Sequence, residues 1–589
     1  MPNEIYHRSN WGNANAEGFG DVYFDAAATN KLYNHSDYYE NSDGTDKILR
    51  DLPNKASIAL TPTAYSDGSL NTVIPPYQVL PTELVTNGDF ATDSDWTKET
   101  GWTISGGKAN KEGATASNFY QPVFTSGKKY RLTFDISNSN DGRLLIYFGG
   151  AVSEDILSAS DGTYSFDNLA NNDTLIFRNV NWTGSIDNVS VKEIQEADFD
   201  FSRGSSATRV NEKGLIESIA SGLPRIDYTS GFGSLLLEPQ STNLVTYSED
   251  FSQWIKSNSS VNTNLIQSPS GFLDADKIIE NTNNSTHFVL PIVNNVPSSG
   301  IATLSVFAKK GENNWIKLVQ YTNYANFDLE NGVIGNSSAI SSSIINYGSG
   351  WYKCIMNFNV AGGGANFDFK LGENNTSSWN DTYTGDGTSG VYLWGAQLEA
   401  GDYATSYIVS NSGSTTTRSA DVANNSGNAD LFNDSEGVLY AEISALADDG
   451  TGRNLGISDG TTSNRILILY SPNSNELRFY LEGSGGSITI NHTLTEVLEF
   501  IKVAVKYKAQ DFGFYVNGVE VDTNTSNITF SGLDDLSFNN PYGGGTSNFY
   551  GKTKELAVFK EALTDAELES LTSWVSFTEM ATDLEYTLE

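Results

Sequence analysis

Hydrophobic and polar residues alternate with a period of two through much of the chain. Tyr130, Leu132, Phe134 and Ile136 alternate with Arg131, Thr133 and Asp135, and Ile501, Val503, Val505 and Tyr507 alternate with Lys502, Ala504 and Lys506. That period belongs to strands with one buried face. Phe512, Phe514 and Val516 continue into Asn517-Gly518, which suits the positive φ angles of a tight hairpin turn, and Val519 and Val521 resume the pattern. A second hairpin is expected where Arg465 to Tyr470 and Glu476 to Leu481 flank a polar Ser-Pro-Asn-Ser-Asn turn. One helical signal stands against this background, near the C-terminus. Thr564 can cap it, Glu567 completes a capping box, and Leu563 and Leu568 can form the hydrophobic staple, with Leu568 and Leu571 turned to a sheet. The fold class expected is all-β, several antiparallel β-sandwiches (jelly rolls) in series with one short helix near the C-terminus.

Length and composition narrow the class further. The 589 residues suggest roughly three to five domains. Against 35 Lys and Arg stand 72 Asp and Glu, a formal charge of −37, which disfavours nucleic acid and an anionic membrane surface as partners. The same charge keeps an exposed particle component soluble without any specific partner. Cys354 is the one cysteine, so no internal disulfide or cysteine metal cluster can form, and it reads as a buried structural thiol. His7, His35, His287 and His492 lack the spacing of a helical zinc site. No apolar run approaches the roughly 20 residues needed to span a bilayer. The start, Met1-Pro-Asn-Glu-Ile-Tyr-His-Arg, has no basic region followed by an apolar core, so no signal peptide is expected and cytoplasmic synthesis is.

Internal similarity divides the chain. Glu83-Leu-Val-Thr-Asn-Gly-Asp-Phe90 leading to Trp96 parallels Asn243-Leu-Val-Thr-Tyr-Ser-Glu-Asp-Phe251 leading to Trp254, and two related modules start there. The first, with Trp96, Trp102 and the closing Gly184-Ser-Ile-Asp-Asn-Val-Ser-Val191, resembles the carbohydrate-binding-module-like jelly rolls of glycan-degrading enzymes and phage tail proteins. A more specific set runs through Asp198-Phe-Asp-Phe-Ser-Arg-Gly-Ser-Ser206, Pro224-Arg-Ile-Asp-Tyr228 and Leu235-Leu-Leu-Glu-Pro239, and closes with Ala404-Thr-Ser-Tyr-Ile408 and Thr417-Arg-Ser-Ala-Asp421. It resembles a segment of tailed-bacteriophage fibre and structural proteins, and Ala56-Ser-Ile-Ala-Leu-Thr-Pro-Thr-Ala-Tyr65 resembles virion proteins of phages that infect Bacteroidetes. In those proteins it runs directly toward the Phe-Ser-Arg segment, so residues 83–194 look inserted. Residues 425–575, with Val438-Leu-Tyr-Ala-Glu-Ile443, Phe514-Tyr-Val-Asn-Gly-Val519 and Leu556-Ala-Val-Phe559, resemble the laminin-G or concanavalin-like sandwich. The expected order is an N-terminal virion-anchoring region (1–82), a first jelly roll (83–194), a connecting segment (195–243), a second jelly roll (244–421) and a laminin-G/concanavalin-like sandwich (422–589).

These resemblances imply a virion fibre or spike that binds host-surface polysaccharide without cleaving it. Its N-terminal region would meet other virion proteins, and the chain would be a homo-oligomer, a trimer by resemblance. Structural decoration or a tail adaptor, and a glycan depolymerase, are the alternatives. Sugar binding needs flat aromatic faces beside hydrogen-bonding groups, which makes Trp96, Trp102, Tyr120 and Trp182 the candidate contacts; core packing is the competing role for each. Asp89 and Asp187 sit where related modules can hold structural calcium, though Asn-Gly-Asp is also good turn chemistry. No other cofactor is expected. Asp448-Asp449 and Asp534-Asp535 are adjacent carboxylates, which a strand would point to opposite faces, and no Glu-x-Asp-x-x-Glu run is present.

Overall fold

The computed structural model describes residues 82–573 apart from 127, 151, 196, 294–295, 361–366, 377 and 540–547, together with six short strands between Phe24 and Val79. It is all-β, its strands antiparallel, with the helix Asp565–Thr572 near the C-terminus. The chain divides into two compact units, one of residues 74–197 and one that joins residues 1–73 to 198–589.

In the 74–197 unit, two sheets face each other. One carries Lys129–Ser137 between Gly162–Leu169 and Gly184–Gln195, and the other carries Thr174–Val180 between Arg143–Phe148 and Ser117–Pro122. Lys129–Ser137 buries every second residue, as its alternation requires. The core between the sheets is unusually aromatic: Phe119 lies 4.6 Å from Trp96 and 5.0 Å from Trp102, both stacked, and Trp182 tilts against Trp102 at 6.0 Å.

The other unit holds two further sandwiches. The central one packs the six-stranded sheet containing Phe288–Leu290, Phe367–Gly372, Trp315–Gln320 and Asn323–Asp328 against a second six-stranded sheet. The second contains Leu273–Glu280, Gly390–Ala400, Ile301–Lys310 and Trp351–Asn359. Cys354 is fully buried between them, beside Val306, Met356 and Phe358, and burial pushes its thiol far up, so it is inert packing.

The C-terminal sandwich faces an eight-stranded sheet against a five-stranded one. The strand Gly551–Phe559 shows how far its segments come from. Its first half pairs with Ser234–Leu237 and its second half with Ala56–Leu60, in register Leu237 to Gly551 and Leu60 to Leu556. Part of the region read as an N-terminal anchor and part of the connecting segment are therefore strands of this sheet; the remainder of residues 1–82, beyond its six short strands, lies outside the described residues.

Local signals appear where the pattern placed them. Asn517 and Gly518 both take positive φ (46° and 76°) between the paired strands Phe512–Val516 and Val519–Asn524. Arg465–Tyr470 pairs with Glu476–Gly483. Thr564 and Glu567 form a reciprocal capping box, and Leu563 and Leu568 are buried together. Ile501–Lys508 departs from the one-sided expectation, because all of it except Lys508 is buried. The helix and its end cover the lysine-bearing face: Lys506 pairs with Asp511 and Asp565 at 2.9 Å, and Lys502 donates to the Ser573 carbonyl at 3.2 Å. The aliphatic stems fill the space while the ammonium groups reach polar partners.

Candidate functional site

The aromatic residues nominated for sugar contact occupy the core of the 74–197 unit. Trp96, Trp102 and Trp182 retain 6%, 4% and 0% of their exposure, and Tyr120 is half-buried on the strand Ser117–Pro122. Trp182 donates its indole N–H to Ser139 Oγ at 2.9 Å and lies within 3.2 Å of the Ala159 carbonyl. A Cβ on Gly184 would stand 2.7 Å from its Cζ2, so the backbone passes directly over the ring. A ring enclosed in this way offers no face to a ligand, which corrects the assignment of the three tryptophans. The repeat that opens both modules has the same explanation. Trp96 donates to the Asn87 carbonyl at 3.2 Å and packs on Phe90; Trp254 donates to the Tyr247 carbonyl at 2.8 Å and packs on Phe251. Each tryptophan pins the incoming loop to the sandwich core.

Asp89 and Asp187 make local turn bonds, Asp89 accepting from the Ala91 N–H and Asp187 from the Asn188 N–H. Among the described residues no group of three or more His, Cys, Asp or Glu side chains converges as a metal site. The adjacent carboxylates are also in structural use: Asp449 pairs with Arg453 at 2.9 Å, and Asp535 accepts from Ser537 Oγ at 2.8 and 2.7 Å. Burial pushes Asp535 up to about 6. A carboxyl with a raised folded-state value keeps a proton that the unfolded chain loses, so its contribution to stability falls as pH rises from about 4 through 6. Asp535→Asn is expected to flatten that part of the profile and to stabilise the protein at pH 8 by about 2 kcal/mol, read from urea denaturation at pH 5 and pH 8.

The structure brings a different set of residues together. The segments singled out by the phage-protein resemblance converge at strand ends, and their charged residues form one buried network. Asp421 accepts from Arg203 at 3.0 Å and from Arg225; Glu238 accepts from Arg225 at 2.7 Å and pairs with Arg418 at 2.9 Å. All five side chains are 3% exposed or less. The Glu238 backbone N–H closes the loop onto Asp421 at 2.9 Å. Burial favours the neutral form of Glu238, but Arg418 and Arg225 outweigh it and hold the carboxyl well below its usual range. Burial opposes the charge on Arg225 too, and Asp421 and Glu238 overcome it. Glu238 follows three leucines in sequence, a charge inside an apolar run, and that was the available signal for a buried ion pair.

Beside this network lies a cavity of about 600 Å³, walled by the central sandwich, the 207–238 segment and the C-terminal sandwich. Asp227 and Lys552, paired at 3.0 Å, form part of one wall. Lys353 enters from the strand Trp351–Asn359, donates to the Thr405 carbonyl at 2.9 Å and sits 5.7 Å from the centre of the Phe307 ring. Burial lowers its ammonium below the ordinary lysine value against the pull of Glu399 and Glu238. Tyr347, half-buried in the same wall, has its hydroxyl pushed up by burial and by the nearby Asp227 and Glu238 carboxylates. Ser406 donates its backbone N–H and its hydroxyl to Glu238 at 2.7 and 2.6 Å. Aromatic surface beside fixed donors and acceptors is the composition of a pocket for a small polyhydroxylated ligand, and the volume is in the range of ligand sites.

Residues 419–569 match the model of the concanavalin A-like lectin/glucanases superfamily. The C-terminal sandwich is therefore a concanavalin-like domain, as its strand motifs implied. Comparison with curated proteins finds no match. Among solved structures, the chain is similar to the Ruminococcus gnavus IT-sialidase CBM40 bound to alpha2,3 sialyllactose, at 14% identity over 26% of this chain and 94% of that one, TM-score 0.23. It is also similar to domains LG4-5 of the mouse laminin alpha1 chain, at 12% identity over 50% of this chain and 92% of that one, TM-score 0.18. At these scores neither similarity carries an argument about function. The concanavalin-like domain contributes Ser444, Phe500 and Lys552 to the cavity wall.

Proposed function

We propose that the protein is a non-enzymatic virion fibre or spike component of a tailed bacteriophage that binds host-surface glycans. The observation that carries this reading is the cavity itself, which a concanavalin-like domain helps to wall and which presents the half-buried rings of Tyr347 and Phe500 beside fixed hydrogen-bonding groups. The phage-protein resemblance of the segments that build the adjoining network supports the virion setting. The state of two of the cavity carboxylates supports binding without cleavage. Glycoside hydrolysis needs a carboxylic acid whose pKa is raised enough to donate a proton. Glu238 is held low by two arginines and Asp227 is held low by Lys552 and by hydrogen bonds from Thr229 and Val210, against the desolvation that burial imposes on both. Of the three carboxyls that line the cavity, Asp227, Glu238 and Glu499, the first two are thereby removed as proton donors near neutral pH. Several copies on one particle would turn weak contacts into firm attachment, which suits the oligomer implied by the resemblance.

The test is binding of the purified full chain to intact bacteria and to polysaccharide extracted from their surface, with polysaccharide chain length followed throughout. Saturable binding without shortening, weakened at least tenfold by Tyr347→Ala, is the expected result. Shortening of the polysaccharide would replace this reading with a depolymerase, and absence of binding would leave structural decoration or a tail adaptor.

A further inference from the structure

The central sandwich carries a second place where a sugar ring can be held, and it rests on the glycan-binding reading. On the outer face of its first sheet, the pairing register places Asn326, Lys317, Lys370 and Phe288 in one row across four strands. Two lysines directly opposite each other repel, and both are almost completely buried, at 4% and 5% exposure. The arrangement persists because the segment after Phe367–Gly372 folds back over the row and supplies the missing partners. Lys317 donates to Thr376 Oγ1 at 2.8 Å, to the Ser378 carbonyl and to Asp381; Asn326 donates to the Thr376 carbonyl at 2.8 Å. Lys370 donates to the Trp379 carbonyl at 3.0 Å and pairs with Asp368 at 3.3 Å, while its ammonium sits 5.3 Å from the ring centres of both Phe288 and Trp379.

This strap presents Trp379 to solvent. Among the described residues it is the only exposed tryptophan, at 41%, whereas the others are core or half-buried. The loop closes its hydrogen bonds through backbone carbonyls and Asp381, and the indole adds one covered face over Lys370, while the rest of a large apolar ring stays in solvent at a cost to folding. Its exposed sequence neighbours Ser378 and Asn380 add a hydroxyl and an amide on either side of it. Lys317 and Lys370 are matched by Asp368 and Asp381, and the exposed Glu373 leaves the segment with one net negative charge, so nothing there attracts an anionic sugar.

We infer that Trp379 is a preorganised stacking platform for a neutral pyranose ring of a host-surface glycan. The C–H face of the sugar would lie on the indole, and its hydroxyls would meet the flanking hydroxyl and amide; because the loop is already fastened, little ordering entropy opposes binding.

The experiment uses the full chain and a panel of defined neutral oligosaccharides (glucan, mannan and galactan fragments) with sialylated oligosaccharides as the anionic comparison. Affinity is measured by calorimetry, and acrylamide quenching reports the accessible indole. The expected result is binding of at least one neutral oligosaccharide that shields the quenchable tryptophan. Trp379→Ala should weaken it at least tenfold with an unchanged melting temperature, and Trp379→Tyr should keep part of it. Equal affinity in wild type and Trp379→Ala, or binding of sialylated oligosaccharides alone, would overturn this inference and leave the glycan-binding reading standing. No binding of any oligosaccharide or of extracted polysaccharide by the wild-type chain would overturn both.

Discussion

Asp421→Ala is expected to destabilise the unit that contains it by about 3–5 kcal/mol, the cost of leaving buried charge without its partner. Asp421 joins segments 218 residues apart through Arg203 and 196 apart through Arg225, and it also receives the Glu238 N–H. Removing it leaves the buried Arg203 guanidinium without a carboxylate, leaves Arg225 with Glu238 alone, and opens one backbone donor. Chemical denaturation at neutral pH should show an earlier transition, and a control at the exposed pair Arg143–Asp155 should shift it little, because solvent already screens that contact. The pH dependence has a definite sign. Glu238 has a folded-state value below its unfolded one, so its contribution is present above the ordinary glutamate range and is lost as acid titrates it in the folded protein. A wild-type stability that is flat from neutral pH to strong acid, or an Asp421→Ala protein as stable as wild type, would show that the network does not hold the joint.

Trp182→Ala should cost the 74–197 unit about 3–5 kcal/mol, near the whole stability of many domains of that size. The indole is fully buried, touches Trp102 and carries the hydrogen bond to Ser139. Loss of near-UV circular dichroism and an early denaturation transition are the signatures of a core residue. A soluble variant with an unchanged transition and weakened polysaccharide binding would instead return Trp182 to the list of ligand contacts. The contrast with Trp379→Ala, which should leave melting unchanged, separates the enclosed tryptophan from the exposed one.

Period-two alternation, the Asn517-Gly518 turn and the Thr564–Glu567 capping box were legible because each is a local interaction whose partners lie within a few residues. The concanavalin-like domain was legible from the order of three strand motifs, and a family model independently covers 419–569. The motif residues Arg203, Arg225, Glu238, Arg418 and Asp421 were visible as a pattern, but their joint purpose was not, since nothing in a linear spacing shows that strands from both ends of the second sandwich meet.

Aromatic residues expose the limit most clearly. Trp96, Trp102 and Trp182 stand in strand patterns that suit a binding face or a core equally, and only the stacking of the opposite sheet closes them off. Trp379 sits in a polar loop with no strand or helix periodicity, and only the pairing of Lys317 beside Lys370 draws that loop across the sheet and turns its indole outward. The sequence by itself determined the strands, the turns, the helix and the charge, because those depend on neighbouring residues. The tertiary structure alone decided which charges are buried, which segments close the C-terminal sheet and which aromatic face remains open, because each depends on atoms brought together across hundreds of residues.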